Sequence, residues 1–227
     1  MYYDTAKNDH GLPHSPFKAI VSPRPIGWIS SRSSSGVVNL APYSFFNAVN
    51  DAPPMVMFSS QGRKDSLKNI EDTGEFVCSL ATQKLHQAMN LSSALVKSDV
   101  NEFALSGLEA VDSIQVGPPR VAGTPAALEC KLWKILELPS AAVDPDKRAY
   151  MVLGHVIAVF VDEQFLKEGM FCTADAGIIA RMGYMDYCGV TAETTFTLNR
   201  PDVSEDGLTA TVVPGPWMEF IADFFSI

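Results

Sequence analysis

The chain has 227 residues, 47% of them hydrophobic, and a net charge of −9. This length fits one domain with a real core, and the composition excludes a disordered chain. The negative charge, without a basic face or an arginine-rich run, argues against nucleic-acid binding. No apolar stretch reaches the length of a membrane span, and residues 1–11 lack a signal-peptide pattern. We therefore expect a cytoplasmic protein without a membrane anchor.

The N-terminal part of the chain predicts a surface arm followed by a hairpin. Polar residues at 1–16 form the arm, and strands are predicted at 18–21 and 25–31. Arg24 lies between two prolines, which hold its backbone extended and present its side chain with little freedom. A surface ion pair and a ligand contact explain this arginine equally well.

The next segment, NLAPYSFFN at 39–47, predicts a strand that carries aromatic and hydrogen-bonding side chains. Strand alternation places Tyr43, Phe45 and Asn47 on one face and Ser44 on the other. A ligand with a flat ring and an amide-like edge suits such a wall, because pockets combine apolar lining with few polar groups. A proline-kinked edge strand with core phenylalanines is the alternative.

A candidate phosphate site follows in the run SSQGRKDS at 59–66. Asp65 is predicted to cap a helix that runs through Thr73 and is closed by Gly74. The start of a helix offers free N–H groups and a positive dipole end, which suit a phosphate monoester. A capped surface helix with solvated cations is the alternative. The candidate ligands are Ser59, Ser60, Arg63, Lys64 and Ser66.

The remaining chain predicts a helix, a long loop and three further strands. Alternation in the strand at 126–138 places Glu129 on its solvent face, whereas the strand at 150–161 is apolar on both faces and should be central or at an interface. His155 interrupts this last strand and, judged alone, is a satisfied structural histidine. The predicted elements are a strand at 75–81, a helix at 83–95, a loop with a helical turn at 97–120, and the strands at 126–138 and 150–161.

Cysteine and histidine patterns give no sign of a metal site. The four cysteines are far apart without a C-x-x-C pair, and Cys78 and Cys130 sit in apolar alternation, so reduced core cysteines are expected. The histidines form no ligand pair, and we find no catalytic triad or paired carboxylates. Without a G-x-G-x-x-G unit, no Rossmann domain is predicted.

An ordered set of motifs resembles the flavin reductase-like family of FMN-binding split barrels. The resemblance implies a mainly β, six-stranded antiparallel split barrel of the Greek-key type with a few peripheral helices. It also implies a homodimer that holds FMN near the dimer interface. The domain would span 17–200, with an arm at 1–16 and an extension at 201–227 that ends in an amphipathic helix. The motifs are SPRPIGW, NLAPYSFFNAV, DAPPMVMFSS, RKDSLKNI, TGEFV, ALECKLW and IARMGYMDY.

The resemblance further implies roles for residues that local patterns leave open. Arg24 and Pro25 would border the flavin, and His155 would reach the FMN phosphate or ribityl chain. Arg181 would contact flavin or nicotinamide. This sequence departs from the family pattern Arg-x-Gly-Gly at Tyr184, which stands in place of the second glycine. The full set of expected FMN-binding residues is Arg24, Pro25, Tyr43, Ser44, Phe45, Asn47, Ser59, Ser60, Arg63, Lys64, Ser66, His155 and Arg181.

The function implied by the resemblance is an NAD(P)H-dependent flavin reductase. Hydride would pass from nicotinamide to flavin N5, with free flavin, a monooxygenase or another acceptor taking the electrons. No residue of the chain is required as a general acid or base. One alternative is an FMN-carrying electron-transfer protein without its own NAD(P)H activity. A flavin-free barrel that serves as an interaction module is the other.

Overall fold

The computed structural model describes residues 1–140 and 142–213. The amphipathic helix predicted near the C-terminus lies outside the described residues. The chain divides into two compact units after Gly189. In the described part of the second unit, a short helical turn spans Ala192–Thr194, and Asp202–Val203 pairs with Ala210–Thr211.

The first unit is built on one sheet of seven antiparallel strands: β1 Gly27–Arg32, β2 Val38–Tyr43, β3 Phe46–Asp51, β4 Pro54–Gln61, β5 Glu75–Leu80, β6 Ala126–Glu137 and β7 Ala149–Val161. Their order in the sheet is β2-β1-β5-β6-β7-β4-β3. The edge strands β2 and β3 are joined by Ser44 and Phe45 alone, so the sheet must curl until its edges meet. This is the predicted mainly β antiparallel barrel, with seven strands in the sheet where six were expected.

Strand alternation fills both sides of β1 with apolar side chains. Ile29 packs inside the barrel with Phe58 and Phe76, while Trp28 packs on the outside with Phe103. Trp28 and Ile29 are both fully buried. The barrel interior also holds Cys78 and Cys130 as free, buried cysteines, as predicted.

In the described residues, four short helices cover the barrel: α1 Phe17–Ile20, α2 Asp65–Thr73, α3 His86–Leu91 and α4 Glu102–Leu105. The strand predicted at 18–21 is therefore wrong; this segment is α1. Helix α2 ends at Gly74 in the left-handed conformation, as predicted. Its N-cap is Lys64, not Asp65, and no side chain caps it. None of the helices in the described part of the chain is long and apolar enough to span a membrane.

Small elements complete the first unit. Arg24–Pro25 pairs with Ile179–Arg181, which pairs in turn with Tyr187–Gly189. The predicted solvent face of the strand at 126–138 is wrong at Glu129, which is buried because the loop before it donates two backbone N–H groups to its carboxylate. The other short strand pairs are Ala110–Val111 with Arg120–Val121 and Leu166–Lys167 with Met170–Phe171; 3-10 turns span Gln83–Leu85, Pro145–Lys147 and Glu163–Phe165.

Candidate functional site

A cavity of about 490 Å³ opens where the two edges of the sheet meet, and we call it the seam cavity. Its walls come from β2, the two-residue connection to β3, the end of β4 and the start of α2, together with Lys18, Glu102 and the segment 92–96. The volume lies within the roughly 300–1,000 Å³ of small-molecule pockets. Of the predicted site residues, this cavity brings together Tyr43, Ser44, Phe45, Ser59, Arg63, Lys64 and Ser66.

The aromatic wall of the cavity differs from the prediction, because the strand breaks at Ser44 and Phe45. Tyr43 does not share an outer face with Asn47. It is buried inside the barrel, where its ring packs 4.7 Å from that of Phe58. Burial raises the pKa of the Tyr43 phenol. Phe45 stays half-buried in the cavity wall, and its carbonyl accepts a hydrogen bond from the Ser59 amide.

Ser59 provides an unused hydrogen-bonding group at the cavity. The residue is 8% exposed, and its hydroxyl has no hydrogen-bond partner among the described residues. A buried polar group without a partner costs about 1–3 kcal/mol. The unpaired Ser59 hydroxyl therefore favours binding of a ligand that places a polar atom within hydrogen-bonding distance of it.

The start of α2 supplies positive potential to the same cavity. The helix has nine residues, and its first N–H groups have no capping side chain. Lys64 is exposed beside them and makes no ion pair with a described residue, so its ammonium is available to an anion. Uncapped N–H groups, the helix dipole and a free lysine together form an anion-binding arrangement.

Arg63 is less available than Lys64, although it lies next to it in the chain. Its guanidinium forms an ion pair with Glu71, lies 3.9 Å from an oxygen of Asp146, and stacks 5.5 Å from the centre of the Tyr150 ring. A hydrogen bond with Tyr150 and the negative charge of Glu71 raise the pKa of Arg63. The structure thus uses this arginine to join α2 to the barrel.

A buried polar network holds α2 against the sheet. Asn39 of β2 accepts a hydrogen bond from the Ser66 hydroxyl at 2.6 Å and donates one to Glu102 at 3.1 Å. The second Glu102 oxygen accepts from the Leu40 amide at 3.0 Å. Burial raises the pKa of Glu102. Asn39 and Glu102, which also line the cavity, are residues that sequence reasoning missed. A polar asparagine within an apolar strand was the available signal.

A second cavity, of about 630 Å³, shares Lys18 and Ser44 with the seam cavity. We call it the arginine cavity, because Arg24 and Arg181 line it. These two predicted residues are therefore brought together, but outside the seam cavity. Pro25 is exposed beside them and lies opposite Ala180 in the strand pair.

Four predicted residues line neither cavity: Pro25, Asn47, Ser60 and His155. Ser60 is buried and donates its hydroxyl proton to the Gly62 carbonyl at 2.8 Å. Asn47 is opposite Met57, and His155 is opposite Met55, so both lie on the outer face of the barrel. The His155 ring is 6.4 Å from that of Trp133.

Comparison with known proteins identifies the family to which this barrel belongs. A family model described as a flavin reductase like domain matches residues 21–176. The chain belongs to this family. An uncharacterized protein from Aquifex aeolicus is 35% identical over 156 residues, which are 66% of this chain and 76% of the relative.

Solved structures share the architecture of the family. Nitrilotriacetate monooxygenase component B from Bacillus cereus superposes with a TM-score of 0.80 at 24% identity, covering 87% of this chain and 98% of its own. The 2-nitrobenzoate 2-nitroreductase of Pseudomonas fluorescens has a TM-score of 0.76 at 26% identity, covering 88% and 96%. An FMN-binding domain of a flavin reductases-like enzyme from Shewanella baltica has a TM-score of 0.63 at 22% identity, covering 82% and 96%. The split-barrel fold is thus shared.

Proposed function

We propose that the chain is an FMN-dependent oxidoreductase of the NAD(P)H:flavin reductase type. The observation that carries this proposal is the seam cavity, where Ser59, Lys64 and the uncapped start of α2 converge on one open site. Family membership adds support, as does the Shewanella baltica domain of the same fold, which is described as FMN-binding.

The residues present fit FMN. The phosphate would lie at the start of α2, where Lys64 supplies charge and the helix supplies N–H donors. The Ser59 hydroxyl would gain the partner that it lacks, either on the phosphate or on the ribityl chain. Phe45 and the backbone around Ser44 would border the ring.

The chain's task in this reaction is binding and orientation. FMN, when bound, supplies a ring that accepts a hydride from a nicotinamide. The network from Glu102 through Asn39 to Ser66 fixes α2 relative to the seam, so the phosphate site and the ring site keep a set distance. Fixed geometry accelerates a transfer between two bound molecules, and this mechanism asks no side chain to move a proton.

A homodimer is part of the proposal. Six apolar residues lie on the outside of β4, β6 and β7, and we call this set the outer apolar face. Trp133 is its most exposed member, at 56%. Leu136 is exposed as well, and the other four members are half-buried. Apolar surface left open to solvent in one patch favours an interaction site. Ser59 alternates with two of its members on β4, so a second copy docked here would adjoin the seam cavity. The face comprises Met55, Met57, Trp133, Leu136, Met151 and Leu153.

A protein that accepts electrons from the bound or released flavin is the further proposed partner. The Bacillus cereus neighbour is a component of a monooxygenase, and the Pseudomonas fluorescens neighbour reduces a nitro group. Both descriptions are compatible with a reductase that feeds electrons to a second acceptor.

A visible spectrum of the purified chain with added FMN tests the proposal. We expect a perturbed flavin band that bleaches when NADH or NADPH is added without oxygen. A band that persists would identify an electron carrier reduced by another protein. Failure to take up FMN would reject both functions and leave the interaction module.

A further inference from the structure

The arginine cavity contains two like charges in direct register. Arg24 and Arg181 are the paired residues of the two short antiparallel strands that form its wall. Like charges directly opposite each other destabilise a strand pair. Lys18 adds a third cation, and none of the described residues that line this cavity is acidic. The cavity is therefore electropositive without a counter-ion.

Arg24 is the buried member of the pair, with 6% of its surface exposed. Its guanidinium donates to three backbone carbonyls, those of Lys18, Val21 at 2.6 Å and Met182 at 2.8 Å. Its Nε–H is buried and has no partner among the described residues. Burial, and then the charge of Arg181, lower the pKa of Arg24. A buried charge with only neutral partners is costly, and an anion would relieve that cost.

Arg181, on the paired strand, is held in place by the turn that follows it. It donates to the Tyr184 carbonyl and the Tyr187 hydroxyl, and it lies 4.6 Å from the centre of the Tyr187 ring. Tyr184 has a φ of 53°, in the left-handed region that favours glycine, and its ring contacts His14 at 5.7 Å. The turn thus presents both a cation and an aromatic side chain to the cavity.

We propose that the arginine cavity is a second anion subsite, separate from the start of α2. It holds the phosphate or carboxylate group of the substrate that exchanges a hydride with the flavin; this inference rests on the proposed function. FMN carries a single phosphate, and the seam cavity already provides for it. Because Lys18 and Ser44 line both cavities, a substrate with one end on the flavin reaches the two arginines with its anionic end.

Calorimetric titration of the FMN-loaded chain tests this subsite with two probes. ADP-ribose carries the pyrophosphate of a nicotinamide dinucleotide without its reactive ring, and benzoate carries an aromatic carboxylate. We compare Arg181→Gln, which removes the charge, and Arg181→Glu, which reverses it, with the wild type, because Arg181 lines the arginine cavity and not the seam cavity. Lys84→Gln serves as control because this exposed lysine lines neither cavity. FMN binding is followed separately by flavin fluorescence.

We expect each cavity variant to bind the probe anion at least tenfold more weakly than the wild type does. The control variant should bind the probe within twofold of the wild type, and the FMN affinity of every variant should also stay within twofold. If the cavity variants bind ADP-ribose more weakly, the subsite holds a dinucleotide phosphate. If they bind benzoate more weakly, it holds the carboxylate of a substrate. The subsite is rejected if neither probe binds the wild type, if the cavity variants bind the probe as tightly as the wild type does, or if these variants lose FMN binding instead.

Repeating the titrations without FMN separates this inference from the proposed function. A wild-type chain that takes up no FMN, yet binds an anion that both cavity variants lose, keeps the subsite and rejects the reductase. A chain that takes up FMN but shows no anion binding keeps the flavin site and rejects the subsite.

Discussion

Replacing Lys64 with glutamine tests which cation holds the FMN phosphate. Lys64 lies at the uncapped start of α2 without a described ion-pair partner, whereas Arg63 already pairs with Glu71. A charged hydrogen bond contributes about 1.5–3 kcal/mol, and the exposure of Lys64 selects the lower end of that range. Since 1.4 kcal/mol is a factor of ten, we expect Lys64→Gln to weaken FMN binding by about tenfold.

Flavin fluorescence titration at low and high salt measures this effect. Lys68→Gln is the matched control, because Lys68 is an exposed lysine one turn farther along the same helix and does not line the cavity. Arg63→Gln should weaken FMN binding by less than about threefold while lowering stability, since its guanidinium joins α2 to the barrel. Added salt should narrow the difference between wild type and Lys64→Gln. Equal FMN affinity in wild type and Lys64→Gln would refute the assignment of the phosphate to α2.

Three further predictions address the network, the core and the outer face. Burial raises the pKa of Glu102, so its ionisation opposes folding; urea denaturation should show wild-type stability falling relative to Glu102→Gln as pH rises above about 4.5. In Gly154→Ala, the added Cβ would overlap the Phe76 ring, and we expect a loss of about 1–3 kcal/mol of unfolding free energy in the same assay; an unchanged value would contradict the packing described. Trp133→Glu should shift sedimentation from dimer to monomer, whereas Leu91→Glu, an exposed leucine on α3, should not; a dimeric Trp133→Glu would exclude the outer apolar face as the interface.

Local patterns in the sequence predicted the helix and strand at the centre of the site. The run from Ser59 to Gly74 contains its own stop signal for β4, a helix and a left-handed glycine cap, so its structure follows from neighbouring residues. The capping residue was predicted one position too late, because Asp65 enters the first turn of α2 and leaves its start uncapped. That error matters for function, since an uncapped start is free to bind an anion.

Properties set by distant residues were not predictable from one sequence. The break at Ser44 exists because the two edge strands of a closed sheet meet there, and strand alternation alone runs through it. Strand alternation placed Glu129 on the solvent face. The two N–H groups that bind its carboxylate come from a loop that precedes it in the chain, and alternation within the strand contains no sign of them. Likewise, the register that pairs Arg24 with Arg181 joins segments more than 150 residues apart.

The seam of the barrel explains why both cavities lie where they do. A closed antiparallel sheet pairs the backbone groups of each strand with its neighbours, so polar backbone is available to a ligand only where that pairing fails. In this chain the edge strands β2 and β3 are not paired with each other, and Ser44 and Phe45 connect them without belonging to either strand. Ser44 faces both cavities, with the α2 cations on one side and the arginine pair on the other. A flat ring placed at the seam would therefore have one anion site for its own phosphate and another for the molecule stacked on it.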